Sequence, residues 1–475
     1  MIALEGRSLA RAFLLGLTTG VIYFCGTLYW ITRVMVVHGG LQPWVAVLVN
    51  ALLIAYLALF PGLFAVVVRR IVARFGPPAL MAAPLVWVAT ELGRTHIFGG
   101  FPWVLLGYSQ ASVLPIAQLA SVFGVYGVSA LVSGVSAGLA VFGLSVGKSP
   151  TEAGRNARYV PLLAPFVFVT AIAVWGSARV AAADWTRTGE PVRVGLVQGN
   201  VDQAQKWDPA RATAIFDEYL RMTRQAIADG AQVVIWPESS TPFFFEENRP
   251  GAEQVRAIAR QARVPILLGS DQIDHGPPER YYNSAFLVRA DGTTAGAYRK
   301  IHLVPFGEYV PLRKLLFFAA PLVEVVSEFS PGDSAVLLPV NGHLVSTAIC
   351  YEIVYPALVR SFVAGGSELL TTITNDAWFG RTSAPYQHFA QASMRAIENG
   401  RYLVRSANTG ISGVVDPYGR VVARSRIFEQ TVIVSQARFL QTSTFYARHG
   451  DVFAYASVVV SVAMLVFAPA SRRRM

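Results

Sequence analysis

Three residues able to do chemistry stand where apolar runs end. Glu238 closes VVIWPES, Lys300 lies in AYRKIHLVPFGEY, and Cys350 closes STAICYE. A cysteine nucleophile needs a base for its proton and a positive group to favour the thiolate and an oxyanion; a carboxylate and an ammonium supply both. Strand ends around a sheet are where α/β enzymes gather such groups. Taken singly, each has a plainer role: Cys350 as a small buried hydrophobe, Glu238 as a cap or turn acid, Lys300 as a solvated charge. Periodicity alone does not bring them together. The seven histidines, His38, His96, His275, His302, His343, His388 and His449, are scattered, with no HExxH or paired-ligand spacing, so neither metal nor cofactor is expected. GxSxG, Walker A and GxGxxG signatures do not occur, which removes the usual signals of serine hydrolysis and nucleotide chemistry. Cys25, the other cysteine, lies in TGVIYFCGTLYW and reads as inert filling within an apolar stretch; a disulfide scaffold is excluded.

The elements that must position the three residues alternate. Strand-like runs cover 192–200, 232–239, 264–270, 283–292, 344–352, 368–376, 402–416 and 431–437, with helical patterns at about 209–229, 251–263, 355–364 and 385–400. Alternation of this kind implies a sheet covered by helices.

The rest of the chain is built for lipid. Of 475 residues, 53% are hydrophobic and 15% charged, too apolar for an ordinary soluble protein of this length. Stretches long enough to cross a bilayer occur at roughly 9–32, 43–68, 77–93, 113–146, 160–180 and 452–469. The net charge of +11 does not signal nucleic acid: residues 1–184 carry 11 Lys/Arg against 4 Asp/Glu, whereas residues 185–450 carry 26 against 24. The excess follows topology. Arg7, Arg11, Arg69, Arg70, Arg74, Lys148, Arg155, Arg158 and Arg472 to Arg474 flank one side, and only Arg33 and Arg94 the other, which places both termini in the cytoplasm and the long segment outside. The expected division is a five-span bundle over 1–183, an outer α/β domain over 184–450, and a last span with a basic tail over 451–475.

The wording of the motifs adds a family. WPES at 236–239, RKIHLVPFGEYVPL at 299–312, CYEI at 350–353 and NDAWFG at 375–380, with QGN at 198–200 and KWDP at 206–209, resemble the nitrilase superfamily and, over nearly the whole chain, its apolipoprotein N-acyltransferase branch. The resemblance implies a transmembrane helical bundle joined to a four-layer αββα sandwich on the periplasmic face of a bacterial inner membrane. It implies transfer of an acyl chain from a phospholipid, typically phosphatidylethanolamine, to the α-amine of a diacylglyceryl-cysteine lipoprotein. Cys350 would carry the acyl group as a thioester, Glu238 would be the general base, and Lys300 with the Tyr351 N–H would stabilise the oxyanion. Glu308 would hold Lys300 or share proton transfer, Tyr351 and Glu352 would flank the nucleophile, Trp207 would ride a mobile arm, and Trp378 and Phe379 would line the acyl pocket. Family members usually have eight spans, and the residues from Arg7 onward match the third.

The aromatic run Phe243 to Phe245 and the stretch 315–326 are expected as lids dipping into the lipid interface, the alternative being packing on the domain's own core. Glu91 and Arg94 are expected to pair or snorkel, with lipid headgroup binding as the alternative. Two other readings of the protein stay open: a membrane-tethered amidase with the same triad, and a non-catalytic lipid-binding or transport protein. Six spans argue against the first, and the intact triad against the second.

Overall fold

A computed structural model of the chain describes residues 1–146, 159–305, 307–309 and 329–467. The stretch 315–326 and the basic residues Lys148, Arg155, Arg158 and Arg472 to Arg474 lie outside the described residues. Two compact units emerge, one of Met1–Thr32, Pro43–Ala182 and Thr444–Met475, the other of Arg33–Gln42 and Ala183–Ser443.

Apolar helices build the first unit: α1 (Leu9–Leu28), α2 (Trp30–Val37, running into the second unit), α3 (Pro43–Phe75), α4 (Ala83–His96), α5 (Leu114–Ala117), α6 (Ala120–Val146) and α7 (Val160–Ala182). Among the described residues, α1, α3, α6 and α7 are long and apolar enough to cross a membrane. The expected span at 77–93 takes the form of a 3-10 run, Pro77–Ala82, leading directly into the 14-residue α4. Pro77, Pro78 and Pro84 withhold backbone N–H groups there, which shortens the regular α-helix. α1 lies against α3 at backbone distance. A Cβ on Gly16 would stand 2.3 Å from the Pro61 carbonyl oxygen and one on Gly20 2.8 Å from the Ala58 Cα, so two small residues four apart set the approach. Cys25 is exposed on α1 rather than filling an interior. Glu91 and Arg94 are buried and fasten the loop after α4: Glu91 Oε1 accepts from the Leu106 N–H at 2.7 Å, and Arg94 donates to the Trp103 carbonyl at 2.8 Å.

Two six-stranded sheets make the second unit. The strands are β1 (Glu190–Gln198), β2 (Val233–Ile235), β3 (Ile266–Asp274), β4 (Arg280–Val288), β5 (Thr294–Arg299), β6 (Leu338–Val340), β7 (His343–Ile349), β8 (Leu369–Thr374), β9 (Leu403–Ala407), β10 (Gly413–Val415), β11 (Val421–Arg424) and β12 (Thr431–Phe439). Their orders are β12-β1-β2-β3-β4-β5 and β11-β10-β9-β8-β7-β6. Each sheet has three parallel strands at its heart, β1-β2-β3 and β7-β8-β9, with antiparallel strands at the margins. Helices α8 (Pro209–Ala228) and α9 (Arg249–Ala262) cover the first sheet, and α10 (Pro356–Ala364) and α11 (Ala384–Asn399) the second. The chain then returns to the first unit with α12 (Phe445–His449) and the 15-residue α13 (Val452–Val466).

The central strands are buried on both faces, and alternate side chains point to opposite layers. Val197, Val234, Ile266, Leu268, Phe286 and Val288 point toward α8 and α9, where they meet Phe216, Leu220, Val255 and Ile258 in one core. The residues between them face the other sheet, and the Ser406 hydroxyl bridges to the Val197 carbonyl at 2.9 Å. The result is the nitrilase-like αββα sandwich. Phe243 and Phe245 belong to this core, which overturns the lid expectation for them: Phe245 is wholly buried against Phe286, and Phe243 meets Phe216 edge-on at 4.9 Å, while Phe244 is half-buried with its ring 6.2 Å from that of Tyr281.

Candidate active site

Every expected catalytic residue lies just beyond a strand: Glu238 after β2, Lys300 after β5 and Cys350 after β7. Parallel strands carry their C-terminal ends in one direction, so residues distant in sequence arrive together. The Lys300 ammonium, 1% exposed, donates to Glu308 Oε1 at 2.9 Å and to Glu238 Oε1 at 3.3 Å. Asn283 on β4 closes a ring with them. Its Nδ2 donates to Glu238 Oε1 at 2.8 Å and to Glu308 Oε1 at 3.0 Å. The outer carboxylate oxygens are held by backbone: Glu238 Oε2 accepts from the Asn375 N–H and Glu308 Oε2 from the Val304 N–H, at 2.8 and 2.7 Å.

These contacts set the protonation states. Burial pushes the Glu238 carboxyl up, but Lys300, Asn283, Lys206 and the Asn375 N–H outweigh it, leaving Glu238 below the usual range and ionised. Burial pulls Lys300 down, and Glu308 and Glu238 more than reverse that, so it stays charged. Burial, and then the Glu238 charge, push the Cys350 thiol well up against the opposing pull of Lys300. At rest the site therefore holds a neutral thiol beside an ionised base and a fixed cation.

Cys350 stands on a sharp bend, with φ of +51° in the left-handed region, costly for a residue with a Cβ. Glu352, wholly buried, fastens that bend. Its Oε2 accepts from the Ile349 N–H at 2.7 Å, while Oε1 accepts from the N–H groups of Ile301 and His302 and from the Tyr298 hydroxyl, at 2.6, 3.1 and 2.8 Å. One carboxylate thus ties the nucleophile's strand to the segment that follows Lys300. Burial raises its pKa to about 7 against those donors. Tyr351 is buried, its ring edge-on to Tyr355.

The aromatic residues are more dispersed. Trp207 is 49% exposed, with the buried Lys206 ammonium 5.6 Å from its ring centre. Trp378 meets His38 edge-on at 5.1 Å and Phe379 meets His388 at 5.9 Å.

Several polar residues at the site escaped sequence reasoning. Asn283 opens the strand-like run at 283–292, where nothing in the spacing marks it as a site residue. Lys206, inside the recognised KWDP, donates to the Glu238 carbonyl at 3.3 Å, and burial holds its pKa down. Behind Cys350 lie Asp376, His388 and Arg405, all wholly buried. Their burial was the missing signal, since scattered spacing says nothing of it. No cluster of three or more His, Cys, Asp or Glu able to hold a metal occurs among the described residues.

Comparison with known proteins follows the same division. Residues 1–138 match the apolipoprotein N-acyltransferase N-terminal domain, and residues 193–442 the carbon-nitrogen hydrolase domain. Apolipoprotein N-acyltransferase of Geobacter metallireducens is 41% identical over 468 residues, covering 98% of this chain and 88% of the relative. That of Methylococcus capsulatus is 36% identical, covering 93% and 84%. Among solved structures, a carbon-nitrogen hydrolase of Helicobacter pylori aligns with a TM-score of 0.42 at 16% identity, covering 53% of this chain and 90% of that one.

Proposed function

We propose, for a chain that belongs to the apolipoprotein N-acyltransferase family and N-acylates lipoproteins at a membrane, a two-step transfer through Cys350. In the first step Glu238 takes the Cys350 proton as the sulfur attacks the ester carbonyl of a phospholipid, with phosphatidylethanolamine as donor. Lys300 and the Tyr351 N–H stabilise the oxyanion. Its collapse expels the lysophospholipid alkoxide, which takes the proton back from Glu238 and leaves a thioester. In the second step the α-amine of a diacylglyceryl-cysteine attacks that thioester, Glu238 takes the amine's proton, and the departing Cys350 sulfur recovers it as the amide forms. Glu308 keeps Lys300 in place, Glu352 keeps the bend, and Trp207, Trp378 and Phe379 border the acyl chain. The protein sits in a bacterial inner membrane with residues 184–450 on the periplasmic face and both termini in the cytoplasm.

The observation that carries this reading is the buried ring of Glu238, Lys300, Glu308 and Asn283 beside Cys350. A thiol with a raised pKa is a poor nucleophile until a base receives its proton during attack, and the ring holds such a base ionised. The test is mass spectrometry of a diacylated lipopeptide incubated with phospholipid vesicles and the protein. One fatty-acyl mass gained on the peptide amine is expected, lost in Cys350→Ala and in Glu238→Ala and kept in Cys25→Ala. Transfer surviving in Cys350→Ala would sink the thioester; an acyl group released only to water would favour a hydrolase.

A further inference from the structure

His388 lies on α11 with its ring wholly buried, and none of the steps above uses it. Its Nε2 stands 3.1 Å from the Cys350 carbonyl oxygen. A carbonyl can only accept, so the hydrogen is on Nε2 and the imidazole donates. Nδ1 then accepts from Arg405 Nη2 at 3.0 Å, and that same nitrogen of Arg405 donates to Asp376 Oδ2 at 2.8 Å. Asp376 Oδ1, 3.0 Å from Nδ1, accepts from the Thr374 hydroxyl at 2.8 Å. Burial first, and then the Arg405 charge, favour the neutral ring that this arrangement requires.

The geometry of the peptide bond gives the contact a consequence. The Cys350 carbonyl and the Tyr351 N–H belong to one planar unit, which is trans, so they point in opposite directions. A donor that fixes the carbonyl on one side fixes the N–H on the other. It also polarises the unit, which strengthens the N–H as a donor. The bend at Cys350 needs such holding, because its left-handed φ persists only where the surroundings impose it. Glu352 holds the Ala348–Ile349 peptide, one unit ahead of the bend, through the Ile349 N–H, and His388 holds the peptide that follows Cys350.

We infer that His388 is a positioning residue for acyl transfer: it grips the Cys350 carbonyl from behind so that the Tyr351 N–H faces the developing oxyanion. The inference rests on the acyl-enzyme reading above, with Tyr351 as an oxyanion donor. It separates two reactions of one sulfur. Attack on an ester builds an oxyanion, whereas alkylation by iodoacetamide does not.

The experiment measures both on the full chain in phospholipid vesicles: the rate of acyl adduct formation on Cys350 by mass spectrometry, and the rate of its alkylation. His388→Leu and His388→Asn, whose amide matches Nδ1 and does not reach the carbonyl, are expected to slow acylation by roughly 10- to 100-fold, below the loss seen when an oxyanion donor is itself removed. Alkylation should stay within about twofold, since it needs no oxyanion donor. His388→Gln, whose amide places a donor where Nε2 stands, should recover most of the acylation rate. Acylation and alkylation falling together, or His388→Gln behaving as His388→Asn does, would overturn the inference while leaving the acyl-enzyme intact. A wild-type protein that forms no adduct on Cys350 overturns the acyl-enzyme reading and this inference with it.

Discussion

Lys300 is the only cation that touches both Glu238 and Glu308 among the described contacts, so removing it leaves two buried carboxylates facing each other. Like charges so placed cannot both stay ionised, so the two come to share a proton and Glu238 is no longer held ionised as a base. Lys300→Met is therefore expected to slow acyl adduct formation on Cys350 by about 10³-fold or more, the loss of an oxyanion donor compounded by the loss of the base. Asn283→Asp makes a sharper test, because shape is kept while a donor to both carboxylates becomes a third negative charge. It should cost at least about 100-fold in adduct formation, whereas Asn283→Ser should cost less; equal rates for the two would mean the ring's charge balance is immaterial. Asn283 also marks the limit of what this sequence tells. Glu238, Lys300 and Cys350 were legible because each chemically distinctive side chain interrupts an apolar run, and Glu308 through the family motif that contains it. An asparagine at a strand start has an everyday role, and only the fold brings it between two glutamates.

At the scale of elements, His343 at the start of β7 lies between two acids that begin other strands. Its ring is 2.8 Å from Glu368, just before β8, and 3.1 Å from Glu190 on β1, and it stacks on Phe439 of β12 at 4.1 Å. The contact joins the two sheets. Burial lowers its pKa, but the two carboxylates raise it further, to a net value above the ordinary 6.5. A histidine whose folded pKa is raised adds stability that is full below its unfolded value and lost as pH rises through the folded one. The wild type should therefore lose more Tm between pH 5.5 and pH 8.5 than His343→Gln does. The difference should correspond to about 1 kcal/mol or less, because the site is partly open to solvent. Equal losses would show that the imidazolium carries no stability. The strands that meet here were readable as runs of buried β-formers, and the four covering helices from their amphipathic period. β5, β6 and β11 were not, being marginal strands of 6, 3 and 4 residues, too short to show a pattern, and β2 is shorter than its run because Pro237 has no N–H for the ladder. The run at 402–416 divides into β9 and β10 where ANTGIS turns the chain. Strand order was invisible, since spacing does not say which strands pair.

At the scale of the whole molecule, the distribution of charge and of exposed apolar surface makes a joint demand. Leu14, Ile22, Leu52, Phe166, Val167 and Val174 are exposed on α1, α3 and α7. Side chains of that kind, lying along helices long enough to span a bilayer, belong against lipid rather than water. The arginines then choose the direction of insertion. Arg7, Arg11, Arg69, Arg70 and Arg74 border the cytoplasmic ends of α1 and α3 in the proposed topology. Each positive charge kept on the inner side of an inside-negative membrane is favoured by about 2.3 kcal/mol per 100 mV. Five charges acting together leave little room for an inverted population. The consequence is measurable with Cys25→Ala and Cys350→Ala combined as a cysteine-free background. Ser334→Cys in the second unit, exposed before β6, should react with a membrane-impermeant maleimide in intact spheroplasts. Glu5→Cys, ahead of α1, should react only after the membrane is broken. The opposite pattern would place the acyl-transfer site in the cytoplasm, and the charge argument and the proposed periplasmic acceptor would fall together. Labelling of both sites in intact cells would mean that an even number of helices crosses between them, against the proposed topology.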